Sequence, residues 1–146
     1  MISSRAVKNL LATLFWVAAW YLLAVSMGNP HSVIFVDDVD SLDLEKIGPA
    51  LENHPVFPQR VNTEFVQVIS PEEVKMRVWE RGSGETWACG TGACAAVVAA
   101  VENGYCEKDT DVTVRLKGGN LIIRYTDDTV YMTGNAETIY DGVITI

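Results

Sequence analysis

The pattern of apolar and polar positions divides the chain into two kinds of sequence. Leu10 to Val25 reads LLATLFWVAAWYLLAV, in which only Thr13 is polar. A membrane-spanning helix needs about 20 predominantly apolar residues, and about 17 at the least. Counting out to Met27 brings this block inside that window. Trp16, Trp20 and Tyr21 fall near one face of the helix it predicts. Arg5 and Lys8 precede the block, and the small residues Ala24 and Ser26 close it, the order of a signal peptide with a weak cleavage site after Ser26. Kept as an anchor, it would hold Arg5 and Lys8 in the cytoplasm and the rest outside. A buried helix, or a stretch joined on by truncation of a longer gene, are the alternatives. Residues 1–26 thus form one unit and residues 27–146 another.

Short alternations follow. Val33 to Val36, V-I-F-V, predicts a buried strand. Ser41 or Asp43 can cap a short helix around Leu44 to Glu52, which Pro49 should break or restart. Asn53 to Gln59, with Pro55 and Pro58, reads as a loop. Phe65 to Ile69 and Val74 to Trp79 predict two half-buried strands. Gly82, Gly84, Gly90 and Gly92 mark a flexible segment before ACAAVVAAVE (93–102), a helix apolar on nearly every face and therefore buried. Asn103-Gly104 ends it. Val112 to Leu116, Leu121 to Tyr125, Val130 to Thr133 and Thr138 to Ile146 predict further strands, with Gly118-Gly119 and Asp127-Asp128 as hairpin turns. The fold class is α+β: a curved antiparallel sheet wrapped around one central buried helix, preceded by an apolar N-terminal helix.

Charge sharpens the division. Residues 1–36 carry no Asp or Glu, and all nineteen acidic side chains follow, against nine of the eleven basic ones. An overall charge of −8 argues against a nucleic-acid partner, which calls for a basic stripe. Three cysteines cannot form a fully paired disulfide framework, and no His or Cys spacing suits zinc.

The chemistry concentrates in ERGSGETWACGTGACAA (80–96). Cys89 stands just before a glycine-rich turn that opens into the buried helix. Unpaired N–H groups and the macrodipole favour negative charge there, so the thiol should have a depressed pKa and act as a thiolate base. The N–H groups of Gly90, Thr91 and Gly92 can hold a carboxylate. A base beside an anion clamp suits proton abstraction next to a carboxylate. A small buried hydrophobe is the plainer role for a single cysteine, and Cys94 and Cys106 fit it better. Arg81 offers a planar fork to a carboxylate and Glu80 an acceptor for an ammonium, although adjacent charges are usually a solvated ion pair. Asn29 and His31 are equally at home in an ordinary turn.

GNPHSVIFVDD (28–38), RVNTEFVQV (60–68) and above all ERGSGETWACGTGACAA closely resemble the C-terminal half of diaminopimelate epimerase, from about Val25 to Ile146. The resemblance implies a cytoplasmic enzyme that interconverts LL- and meso-diaminopimelate without a cofactor, feeding lysine and peptidoglycan synthesis. It also implies two pseudo-symmetric halves, each a curved sheet around a helix, with one cysteine from each half on opposite faces of the α-carbon. By that resemblance Cys89 is one of the two catalytic cysteines, and Gly90 and Thr91 clamp the α-carboxylate. Asn29, Asn62, Glu80 and Arg81 contact the substrate, while His31 and Glu80 tune the thiols.

The family's N-terminal half and its cysteine are missing from the sequence, and neither Cys94 nor Cys106 stands in a context to replace that cysteine. Inversion needs a base on one face and an acid on the other, so the chain alone should be inactive or nearly so. A companion N-terminal half or a second copy of the chain is the partner this implies, over an apolar face. Two other readings compete: a cysteine racemase of another amino acid such as proline, and a membrane-tethered, non-catalytic module binding diaminopimelate or another carboxylate.

Overall fold

The structure, a computed structural model, describes residues 24–145. The apolar helix predicted from Leu10 lies outside the described residues except at its end, and that end is not helical. Ala24–Ser26 (β1) is an edge strand paired antiparallel with Pro30–Phe35 (β2), Val25 standing opposite His31. Gly28, at φ +88°, gives the turn between them a backbone that other residues rarely adopt. Among the described residues, no helix is long and apolar enough to cross a membrane.

After β2 come the helix Leu44–Glu52 (α1) and the strands Asn62–Ser70 (β3), Glu73–Glu80 (β4) and Gly84–Thr86 (β5). The helix Gly90–Glu102 (α2) follows, and then Asp111–Leu116 (β6), Gly119–Tyr125 (β7) and Val130–Thr133 (β8). The eight strands make one sheet in the order β1-β2-β3-β4-β6-β7-β8, with β5 hairpinned onto β4. It is mixed rather than antiparallel throughout: β2–β3 and β4–β6 are parallel pairs. Parallel neighbours need crossovers, and each crossover here carries a helix. Because β3 and β4 are antiparallel, right-handed crossovers in the same lateral direction send α1 and α2 to opposite faces.

Side-chain alternation confirms this. Val33, Val66, Val74, Met76 and Val78 join Ala93, Ala96, Val97 and Ala100 in one core around α2. Ile34, Phe65 and Trp79, of the opposite parity, pack with Leu44 and Ile47 of α1 in a second core. The central buried helix is therefore α2, as predicted, and α1 is a second layer on the outer face.

Pro49 does not break α1. Its absent N–H would have served the carbonyl of Glu45, and both residues are exposed, where water can take over. Asp43 is the cap, its carboxylate accepting from Lys46 N. Gly48 faces the Trp79 indole so closely that a Cβ there would lie 2.2 Å from Cδ2.

The segment expected to be flexible at Gly82 and Gly84 is instead the turn of the β4–β5 hairpin. Of the strand predicted at 138–146, the described residues form none: residues 134–145 have no regular structure, and Ile139 and Val143 are 92% and 100% exposed. No strand edge among the described residues pairs with it, and unpaired backbone has no reason to hold a ladder geometry.

Candidate active site

The candidate catalytic and substrate-contact residues lie around the start of α2. Cys89 is the N-cap, in extended backbone with φ −137° and ψ 107°, and Gly90 and Thr91 form the first turn. A capping residue of this kind usually supplies an oxygen to an orphan N–H. Here a sulfur stands in that place: Cys89 makes no side-chain cap bond that meets the usual criteria, yet the Gly92 N–H lies close enough to favour its thiolate.

The thiol does not have the depressed pKa expected from the helix start. Burial pushes the Cys89 thiol up, the Thr91 hydroxyl and Gly92 N–H pull it down, and the Glu80 and Glu64 carboxylates push it up again. Desolvation of a thiolate in a largely buried position outweighs the donors. Burial also raises Cys94 and Cys106, and all three thiols are free.

From the core side, β2 and β3 supply a buried polar pair. His31 Nδ1 lies 2.7 Å from Glu64 Oε1, with both side chains fully inaccessible. His31 Nε2 reaches Asn29 Oδ1 at 3.1 Å, and Asn29 Nδ2 donates to Thr91 Oγ1 at 3.4 Å. Thr91 Oγ1 is 3.6 Å from Cys89 Sγ. Gly92 is where α2 passes between the pair and the thiol: a Cβ there would lie 2.7 Å from Glu64 Oε1 and 3.2 Å from Cys89 Sγ.

The register of β2 and β3 sets His31 beside Asn62. Asn62 Oδ1 accepts from Arg81 N at 3.0 Å, which ties β3 to the turn after β4. Arg81 spends one guanidinium N–H on the Gln59 carbonyl, at 2.9 Å. Glu80 accepts from the Thr86 hydroxyl across the hairpin at 2.5 Å. A groove of about 380 Å³ runs alongside, lined in part by Asn29, His31, Phe57 and Gln59.

Two residues at the site escaped the sequence reading. Glu64 carried a signal: it has the inward parity of Val66 in a strand, where a charge needs a reason. Glu52 carried none. It ends α1, and its carboxylate accepts from Trp79 Nε1 at 2.8 Å, Gly82 N at 2.9 Å and Arg60 Nη1 at 2.8 Å. This clasp fixes the turn that presents Arg81. Among the described residues, no group of three or more His, Cys, Asp or Glu could hold a metal ion.

The arrangement sets a thiol at the N-terminus of a buried helix, beside the Thr91 hydroxyl, on a half-barrel lobe. Solved structures share the architecture. A phenazine biosynthesis protein of the PhzF family from Bacillus anthracis superposes with a TM-score of 0.50 at 28% identity, over 69% of this chain and 33% of its own. A PhzF family protein from Enterococcus faecalis gives 0.51 at 16% identity, over 74% and 39%, a likeness of fold alone.

The sequence is more decisive. The family profile described as diaminopimelate epimerase matches residues 23–139, and this chain belongs to that family. The diaminopimelate epimerase of Pelotomaculum thermopropionicum is 58% identical over 86% of this chain and 44% of its own length. That of Desulfovibrio desulfuricans is 59% identical over 83% and 42%, and that of Bacillus cytotoxicus 56% over 89% and 46%. The chain thus spans less than half the length of these curated relatives and corresponds to their C-terminal half.

Proposed function

We propose that this chain is the C-terminal lobe of a cofactor-independent diaminopimelate epimerase acting in the cytoplasm, with Cys89 as one of two acid–base groups. The observation that carries the reading is the placement of Cys89 at the head of α2, its sulfur 3.6 Å from Thr91 Oγ1 and within the field of the Glu80 carboxylate. In one direction the Cys89 thiolate takes the α-proton: the Cα–H bond breaks, an S–H bond forms, and the electron pair passes into the α-carboxylate. The N–H groups of Gly90 and Thr91, at the positive end of α2, hold that carboxylate as its charge grows. Asn29, Asn62, Glu80 and Arg81 orient the rest of the substrate, Arg81 through guanidinium donors not taken by Gln59. A thiol on the opposite face returns a proton to Cα and completes the inversion.

That opposite-face thiol is neither Cys94, inside α2, nor Cys106, beyond its end. The partner is therefore a lobe supplying the second cysteine. The exposed Trp87 and Met132, which flank the head of α2, support an apolar contact there.

The test is α-proton exchange of LL- and meso-diaminopimelate in heavy water, followed by NMR. The chain should exchange the α-proton without net inversion, and Cys89→Ser should abolish exchange. Addition of a family N-terminal half should restore inversion. Exchange that persists in Cys89→Ser would sink the cysteine reading.

A further inference from the structure

We propose that Glu64 is a positioning residue for the Cys89 thiolate, acting through an oriented hydrogen-bond relay of His31, Asn29 and Thr91. The proposal rests on Cys89 being the proton-transfer group. Its ground is that each link forces the direction of the next.

Asn29 Oδ1 can only accept, so the His31 Nε2 facing it at 3.1 Å must carry a proton. His31 Nδ1 and Glu64 Oε1, 2.7 Å apart, then share a single proton, as carboxylic acid with neutral imidazole or as carboxylate with imidazolium. Both forms keep Nε2–H. With Oδ1 held by histidine, the Asn29 amide points Nδ2 at Thr91 Oγ1. A hydroxyl that accepts from Asn29 has its own proton free to donate to sulfur, 3.6 Å away. Every donor therefore points toward Cys89, and the far end of the relay is buried beyond the reach of water. Among the described residues Glu64 Oε2 has no hydrogen-bond partner, and His31 is the side chain that holds the carboxyl. Such a group is costly to bury, which is intelligible if its task is to fix the imidazole proton.

Bare electrostatics makes the opposite prediction. The carboxylates facing Cys89 are Glu80, at the end of β4, and Glu64, on β3, and both oppose the thiolate. If Glu64 acted only as a charge, removing it would make Cys89 easier to ionise. If it acts through the relay, replacing it with an apolar residue makes ionisation harder.

The experiment is peptide-resolved alkylation of the full chain by iodoacetamide across a pH series, with Cys94 and Cys106 as internal controls of folding. In Glu64→Leu the midpoint for Cys89 should rise by about one pH unit, cutting its neutral-pH rate by about tenfold. In Glu64→Gln the amide can donate to Nδ1 and keep Nε2 protonated, so the midpoint should stay at or below that of the parent chain. Thr91→Val, at an exposed position, should shift the midpoint as Glu64→Leu does.

A midpoint that falls or stays put in folded Glu64→Leu overturns the relay. If that variant does not fold, Thr91→Val and the imidazole ¹⁵N shifts of His31 in the parent chain decide. An unshifted midpoint in Thr91→Val, or an unprotonated Nε2, overturns it equally. An unmoved Cys89 midpoint alongside exchange lost in Cys89→Ser would remove the relay and leave the cysteine mechanism standing. Exchange retained in Cys89→Ser would overturn the cysteine mechanism, and the proposal with it, even where the midpoints shift as expected.

Discussion

Two buried glutamates, one on each face of the sheet, solve the same problem in opposite ways. Glu52, on the α1 face, collects three donors from Trp79, Gly82 and Arg60, and its carboxyl is held below the ordinary value, the Trp79 hydrogen bond outweighing burial. Glu64, on the α2 face, has one histidine and, among the described residues, no hydrogen bond to its second oxygen, and burial pushes its carboxyl up. The first is a satisfied anion that fastens a turn. The second trades stability for a directed proton, the kind of local cost found where a structure serves chemistry. The outer face thus fixes where Arg81 stands, and the inner face conditions the thiol.

The sharpest break of this contrast uses two glycines. In Gly48→Ala the new Cβ would press on the Trp79 indole, so α1 must lift or the indole must turn from Glu52; a loss of about 3 kcal/mol in denaturant unfolding is expected. In Gly92→Ala the Cβ would meet Glu64 Oε1 and Cys89 Sγ, and the flexible glutamate end can yield. The expected result there is about 1 kcal/mol in stability but about 100-fold in α-proton exchange, since small displacements at a reacting group are expensive. Equal damage to both properties in both variants would erase the distinction.

Glu52→Gln should cost about 2 kcal/mol at neutral pH, because the charged acceptor of three donors, among them the buried Trp79 indole, is lost. Its pH dependence separates the two glutamates further. The stabilisation from Glu52 is present above the ordinary carboxylate value of 4.5 and lost as pH falls through its lowered folded value. That from Glu64 is present below 4.5 and lost as pH rises through its raised folded value. Stability curves against pH should therefore flatten on the acid side in Glu52→Gln and above 4.5 in Glu64→Gln. The smallest effect is expected for Asp43→Ala, which removes the α1 cap at a cost of about 1 kcal/mol while leaving Cys89 alkylation unchanged.

Much of the architecture was legible because alternation and helix burial are local signals. Val74, Met76 and Val78 announce their shared face, and the Ala-Val run of α2 announces a helix with no wet side. The parallel pairings of β2 with β3 and β4 with β6 were not legible, since pairing depends on crossovers that periodicity does not encode. Nor was the β4–β5 hairpin, whose glycines at φ +80° read as looseness although they set a tight turn. The sequence of residues 138–146 carries a strand pattern with no edge to join among the described residues. The candidate residues to which the motifs and the resemblance point, Cys89, Thr91, Asn29, His31, Asn62, Glu80 and Arg81, lie near one another in the structure. What motifs could not convey was which groups hold the others, because the Glu52 clasp and the Glu64–His31 pair join residues about thirty apart along the chain.

The interior of α2 has a consequence for how this molecule comes into being. Thirteen residues, all glycine, alanine and valine but for Thr91, Cys94 and the terminal Glu102, make a helix too short to persist by itself in water. It becomes permanent only when strands from both sides enclose it. Before that moment the chain has three interchangeable thiols and no convergent row of amides beside any of them. Chemical individuality therefore arrives at Cys89 in a single cooperative event, and a nascent or half-unfolded chain has no selectively tuned nucleophile to misdirect.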